Sequence, residues 1–232
     1  MNLDMYLSSP CEKSSLPFWK TNKIAIPENM MIVQDADFLV EKLDGYEDEP
    51  FFKLIHRMEF IDKPHLKEGY EIIPLEVQDY ARHIQECYEG GGASADELSS
   101  YKTHATYEPN LWIAVNYSRS NAIVATGIAG LDNDAGEGTL EWIQVSPKYR
   151  RMGFGAFVVK ELLWRMKNRA NFVTVSGKVY NASNPAALYE SCGFTDKIIW
   201  HIMSKRKVKY EFNRAGANMI LIRPTEKQCQ RT

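Results

Sequence analysis

The sequence lacks most of the features that would assign it to a specialised class. Its four cysteines, Cys11, Cys87, Cys192 and Cys229, are scattered, with no Cys-x-x-Cys pair. His56, His65, His83, His104 and His201 share no ligand spacing with them or with each other. A disulfide framework, a structural zinc site and any other metal centre are therefore not expected. No run approaches the roughly 20 apolar residues that span a bilayer, and the first ten residues carry an aspartate where a targeting segment needs a basic stretch before an apolar one. The expectation is a cytoplasmic protein without membrane contact. Charge of one sign is also missing: 28 Lys and Arg stand against 30 Asp and Glu, a net charge of −2, so nucleic acid is not an expected partner. The basic run Lys205-Arg206-Lys207-Val208-Lys209 reads as a solvated strand end, and there is no internal repeat or low-complexity tract.

What is present is an ordinary globular composition, 44% hydrophobic and 25% charged over 232 residues, enough for one domain with an extension. Residues 1–69 read as an accessory segment. Its apolar runs, Met30-Met31-Ile32-Val33 and Phe51-Phe52-Lys53-Leu54-Ile55, fit two short strands or a strand and a helix, and Asp44 to Pro50 reads as a solvated loop with a proline stop. The segment is either a degenerate half that extends a sheet or a dimerisation element, the latter making a homodimer.

From Tyr70 the pattern is regular. A strand at Tyr70 to Pro74 precedes a helix whose apolar face is Val77, Tyr80, Ala81, Ile84 and Tyr88, stopped by Gly90-Gly91-Gly92. Ser94 and Glu97 resemble a capping box for a second helix, and Leu111 to Val115 with Ala122 to Ala129 read as a strand pair. Then come a strand Thr139 to Val145, a helix Gly155 to Asn168, a strand Phe172 to Val175, a helix Pro185 to Ser191 and a strand Ile198 to Met203. This order predicts an α/β sheet with helices on its faces over residues 70–210, followed by a C-terminal strand and tail, 211–232.

The chemistry concentrates between the strand ending at Val145 and the next helix. There the glycines let backbone N–H groups of Gly153, Phe154, Gly155 and Ala156 close around an anion, aided by the positive end of the helix, with Arg150 and Arg151 adding charge. The nucleotide P-loop pattern is absent, and the dinucleotide fingerprint fails because Val158 stands where its third small residue belongs. Arg150-x-x-Gly153-x-Gly155 instead resembles the Q/R-x-x-G-x-G/A signature of GNAT-type N-acetyltransferases. A second block, Asn184-Pro185-Ala186-Ala187-Leu188-Tyr189-Glu190-Ser191-Cys192-Gly193-Phe194, is similar to that superfamily's second motif.

The resemblance covers about Tyr70 to Met203 and implies a mixed, largely antiparallel sheet whose central parallel strands, ending at Val145 and Val175, splay apart, with helices on both faces beside the N-terminal lobe. It implies acetyl-CoA as co-substrate and no metal. The backbone of Ile143, Gln144 and Val145 would pair with the pantetheine arm, Arg150, Arg151, Met152, Gly153, Phe154, Gly155 and Ala156 would hold the pyrophosphate, and Asn184 would bond the cofactor near its thioester.

The implied reaction is direct attack of a primary amine on the thioester through a tetrahedral intermediate. Tyr189 is the candidate acid, because a phenol with pKa about 10 is protonated at neutral pH; the alternative is a core tyrosine. Glu141 is the candidate base, placed by strand alternation on one face with Ile143 and Val145; the alternatives are a paired structural glutamate and a water chain. The acceptor, a small molecule or a peptide amine, would lie near Tyr88, Tyr101, Tyr107 and Trp112, and Asp132, Asp134, Glu137 and Glu141 would favour a cationic one. A non-catalytic acyl-CoA-binding module is the competing reading. Cys192 reads as a small buried filler.

Overall fold

A computed structural model describes residues 28–39, 45–88, 91–206, 210–212 and 219–221. Eight strands form one sheet: β1 (Met30–Gln34), β2 (Tyr46–His56), β3 (Tyr70–Ile73), β4 (Trp112–Tyr117), β5 (Ala122–Asp132), β6 (Glu137–Val145), β7 (Phe172–Lys178) and β8 (Thr195–Lys205). Their spatial order is β1-β8-β2-β7-β6-β5-β4-β3, antiparallel except for β6 and β7. Four helices occur among the described residues: α1 (Val77–Cys87), α2 (Ala95–Tyr101), α3 (Phe154–Met166) and α4 (Pro185–Ser191). A separate antiparallel pair, β9 (Tyr210–Phe212) and β10 (Met219–Leu221), falls where a C-terminal strand and tail were expected; the rest of 207–232 lies outside the described residues, as do residues 1–27.

The α-helices cover both faces. On one, α3 and α4 pack Val158, Val159, Leu162, Leu163, Met166 and Tyr189 against Ile113, Val115, Val124, Leu140, Val173 and Val175. On the other, α1 and α2 pack Val77, Tyr80, Ala81, Ile84 and Leu98 against Ala114 and Ile128. Helix α3 sits so close to the sheet that a Cβ on Gly127 would come within 2.4 Å of Val158 Cγ1, so this inner strand position has room for no side chain. The expected cap of α2 is present, with Ser94 Oγ accepting from the Glu97 N–H at 3.1 Å.

The segment read as a loop ending at Pro50 is instead the first half of an inner strand. β2 lies between β7 and β8 and pairs antiparallel with both. Proline is tolerated there because the β2–β7 ladder begins only at Phe51 opposite Lys178, so the missing N–H removes no ladder bond, while the Pro50 carbonyl still accepts from Val179 N–H at 2.9 Å. Residues 30–34 and 46–56 thus flank β8 on its two sides within the common sheet.

A histidine bridges these N-terminal strands to β8. His201 Nδ1 is 2.9 Å from Asp48 Oδ2, its Nε2 is 3.1 Å from Asp35 Oδ1, and the Phe38 ring stacks on it at 3.7 Å. Burial works to lower the His201 pKa, but the hydrogen bonds and charges of Asp35 and Asp48 outweigh it and the net shift is upward. The folded state therefore holds this proton more tightly than the unfolded chain. The resulting stabilisation is complete below the ordinary value of 6.5 and is lost as pH rises through the raised folded value. Urea titrations should accordingly show His201→Gln losing more stability at pH 6 than at pH 8; an equal loss at both would contradict the charged bridge.

Candidate active site

The parallel ladder of β6 and β7 runs from Glu137 opposite Phe172 to Leu140 opposite Val175 and stops there. Beyond it β7 continues along β2 to Lys178, three residues past the expected end, while Glu141 to Val145 of β6 have no partner strand on that side. Ser146 N–H donates to Val124 O on β5 at 2.9 Å, so by alternation the backbone groups of Val145 and Ile143 point the other way, into the opening. This is the edge that an extended ligand can join as a strand.

The opening begins at a bulge. Ile128 faces Trp142 and Ala129 faces Leu140, which leaves Glu141 as an inserted residue on β6. The bulge corrects the expected shared face of Glu141, Ile143 and Val145. Leu140, Ile143 and Val145 pack on the α3 side, Trp142 packs on the α1–α2 side, and the charge of Glu141 acts on Tyr101 of α2. Glu141 is half-buried, and burial pushes its carboxyl up to about 7. Burial first, then the Glu141 charge, raises the Tyr101 hydroxyl to about 12, so this neighbour remains a protonated donor.

The other carboxylates expected around this strand do not form one patch with Glu141. Asp132 Oδ1 accepts from the N–H groups of Asp134 and Ala135 at 3.0 and 2.9 Å and closes the β5–β6 turn. Glu137 is fully buried, accepting from Thr174 Oγ1 at 2.7 Å with Lys53 Nζ of β2 at 3.9 Å. Glu141 alone of the four stands where the ladder opens.

A buried polar chain fixes α1 against this strand. His83 Nδ1 is 2.9 Å from Thr126 Oγ1, His83 Nε2 is 2.8 Å from Ser146 Oγ, and Thr126 Oγ1 donates to Gln144 Oε1 at 3.1 Å. Burial lowers the His83 pKa to about 4, so the ring is neutral at physiological pH and donates through one nitrogen only. Gln144 Nε2 is buried without a partner, and its amide lies beside the Tyr88 hydroxyl at the end of α1. Tyr88 in turn stands edge-on to Trp142, ring centroids 5.6 Å apart.

After Val145 the chain makes a 3₁₀ turn, Pro147–Tyr149, and reaches Gly153 in the left-handed region at φ 91°. Phe157 N–H is the first to close the α3 ladder, onto Gly153 O at 3.0 Å, so the N–H groups of Phe154, Gly155 and Ala156 precede any helical acceptor. A Cβ on Gly153 would meet nothing within 4 Å, whereas one on Gly155 would lie 3.2 Å from Leu188 Cδ2. The first glycine leaves the helix mouth open and the second lets α4 approach. This cradle fits a diphosphate, and the free edge of β6 leads into it.

Of the arginines placed here, Arg150 donates from Nε to Val145 O at 3.2 Å and from Nη2 to Cys87 O at 3.1 Å, which ties the turn to the end of α1. Arg151 is exposed, with φ 62°. Asn184 caps α4 in the left-handed region at φ 45° and is exposed. Tyr189 is 6% exposed, and its ring packs against Phe52 and Phe194 at 6.4 and 5.8 Å. Burial raises its hydroxyl well above the usual phenol value, with Tyr88 and Cys192 adding to the shift. The ring is thus core, while the hydroxyl senses Tyr88 from the other side of the opening. Cys192 is buried, and burial pushes its thiol up.

Sequence reading missed Tyr88 and Tyr101 as electrostatic neighbours of Tyr189 and Glu141, and missed Lys67, whose Nζ donates to Met152 O in the turn at 2.7 Å. No local pattern marks them. Among the described residues no group of three or more His, Cys, Asp or Glu is arranged to hold a metal, and no helix is long and apolar enough to cross a membrane.

A profile described as the acetyltransferase (GNAT) family matches residues 77–194, half of the chain. No curated protein matches it significantly. Among solved structures, a GCN5-related N-acetyltransferase from Sphaerobacter thermophilus aligns with TM-score 0.58 at 18% identity, covering 79% of this chain and 62% of that one. A conserved protein of unknown function from Staphylococcus epidermidis gives 0.56 at 12%, covering 77% and 73%. A GNAT acetyltransferase from Colwellia psychrerythraea gives 0.50 at 16%, covering 75% and 64%. At these identities the likeness is one of fold, and the chain spans less than two thirds of the Sphaerobacter and Colwellia proteins.

Proposed function

This chain belongs to the acetyltransferase (GNAT) family, and we propose that it transfers acetyl from acetyl-CoA to a primary amine of a small molecule or peptide. The observation that carries the reading is the end of the β6–β7 ladder at Leu140 and Val175, with the open mouth of α3 beyond it. When bound, the co-substrate supplies an activated acyl group as a thioester. The chain's own residues divide the remaining work. Backbone groups of Ile143 and Val145 hold the extended arm, with Gln144 beside them, and the N–H groups from Gly153 to Ala156 hold the diphosphate. Asn184 orients the arm from the α4 side. Glu141, with its carboxyl near 7, accepts a proton from the ammonium acceptor, and Tyr189 donates a hydrogen bond to the departing sulfur.

The test is a thiol-release screen of purified protein with acetyl-CoA against amines, amino acids, aminoglycosides and peptides, beside calorimetric binding of acetyl-CoA. Acceptor-dependent thiol release supports the enzyme and names the acceptor class. Binding without release across the panel would favour a non-catalytic acyl-CoA module, and no binding of any coenzyme A thioester would overturn both.

A further inference from the structure

The segment that joins β2 to β3 has a long way to travel, because β7, β6, β5 and β4 all lie between them. It crosses on the face that carries α3. Lys167, just past the C-terminus of α3, donates from Nζ to Ile61 O at 2.9 Å, and Lys67 donates from Nζ to Met152 O at 2.7 Å, just before the N-terminus of the same helix. At the first pin Ile61 is buried, and beside the second Leu66 packs against the α3 core. An extended chain of six residue steps reaches about 20 Å at roughly 3.3 Å each. A helix of 13 residues such as α3 is also about 20 Å long. Residues 61–67 therefore form a strap that runs the length of α3, from its C-terminal end to its mouth.

The strap delivers a cation to that mouth. Besides the Met152 carbonyl, the Lys67 ammonium lies over the Phe154 ring, 5.5 Å from its centroid. Tyr70, three residues on, packs its ring at a tilt against the same ring, centroids 4.7 Å apart, and fixes the end of the strap. Both partners of the ammonium among the described residues are uncharged, and Lys67 is exposed. Two of its N–H bonds remain for a ligand, one residue from Gly153. Arg150, the cation the sequence motif puts there, instead has Nε and Nη2 on the carbonyls of Val145 and Cys87.

We propose that Lys67, carried by the 61–67 strap from outside the family-matched region, contacts a phosphate of coenzyme A at the Gly153 turn. The inference rests on the acetyl-CoA reading above. The contact is a charge-assisted hydrogen bond from an ammonium to a phosphate oxygen, of the diphosphate or of the ribose 3′-phosphate. It gives the N-terminal part of the chain a role in cofactor affinity.

The test is calorimetric binding of acetyl-CoA and of 3′-dephospho-CoA to the full chain and to Lys67→Met, Lys67→Arg and Lys167→Met. Lys67→Met should weaken acetyl-CoA binding about fivefold to tenfold at low salt. This penalty should shrink toward about 0.5 M salt, since the site is open to solvent. Lys67→Arg should restore most of the affinity, and Lys167→Met, which cuts the other pin and leaves the cation in place, should bind like wild type. A penalty that vanishes with 3′-dephospho-CoA assigns the contact to the 3′-phosphate, and one that persists assigns it to the diphosphate; both support the proposal. Unchanged affinity in Lys67→Met, a loss indifferent to salt, or an equal loss in Lys167→Met would overturn it, the last two by making the strap a purely structural brace. Wild type that binds no coenzyme A thioester would instead remove the acetyl-CoA reading itself.

Discussion

Replacing Tyr189 by phenylalanine is expected to lower kcat for acyl transfer about a hundredfold while leaving acetyl-CoA affinity within about twofold. The substitution isolates the hydroxyl, because the ring that packs against Phe52 and Phe194 is retained and the core keeps its shape. The direction of the pKa shift defines what that hydroxyl can do. Burial raises it above the ordinary phenol value, so full proton transfer to a thiolate of pKa about 8.5 is uphill by at least about 2 kcal/mol. Tyr189 therefore acts by holding a hydrogen bond to the sulfur as negative charge grows there, an interaction absent from the ground state and hence visible in kcat rather than in binding. The same shift predicts no fall in rate from Tyr189 ionisation up to pH 10. A Tyr189→Phe protein with unchanged kcat would leave the residue as core packing and nothing more.

How the sequence carried this information depends on distance along the chain. The turn from Arg150 to Ala156 was legible because its determinants are local: a glycine that must take a positive φ, a helix mouth beside it, and a second small residue where α4 approaches. The helices α1 and α3 were legible for the same reason, since their apolar stripes repeat within a few residues. The position of β2 was not, because its partners β7 and β8 lie more than a hundred residues away, and its acidic first half looks like loop. Asp48 is acidic there because it meets His201, not because it meets water. The bulge at Glu141 was equally hidden. Nothing in Leu140-Glu141-Trp142 announces an extra residue; only the partner strand, facing Leu140 with Ala129 and Trp142 with Ile128, reveals it. Strand alternation put Glu141 on one face with Ile143 and Val145, and the bulge breaks that alternation. Lys67 is 85 residues from the carbonyl it holds, beyond the reach of any motif.

Glu141→Gln should cost about a hundredfold to a thousandfold in kcat at pH 7 and remove the inflection near pH 7 from the rate profile. The glutamine keeps the size of the side chain in its half-buried place but accepts no proton. A primary ammonium of pKa about 10 is only about 0.1% neutral at pH 7, so the wild-type reaction needs a group that takes its proton. Burial sets Glu141 near 7, which leaves about half of it ionised at that pH and cuts the cost of taking a proton from an ammonium of pKa about 10 to about 4 kcal/mol, against about 8 kcal/mol for an ordinary glutamate. Because the ionised form is the active one, kcat should rise with pH through about 7 and then level off. In Glu141→Gln only acceptor that is already neutral reacts, and the rate should climb log-linearly toward the pKa of the amine without a plateau near 7. Burial moves both neighbouring histidines away from 7: His83 is depressed to about 4, and His104, which stacks on Tyr101 at 5.3 Å, is lowered as well. A less basic analogue of whichever amine the screen identifies provides the decisive comparison. With an acceptor already neutral at pH 7, the penalty of Glu141→Gln should largely disappear. If the inflection near 7 survives in Glu141→Gln, or if the penalty is the same for strongly and weakly basic acceptors, Glu141 is not the base and its raised pKa reflects only its position at the bulge.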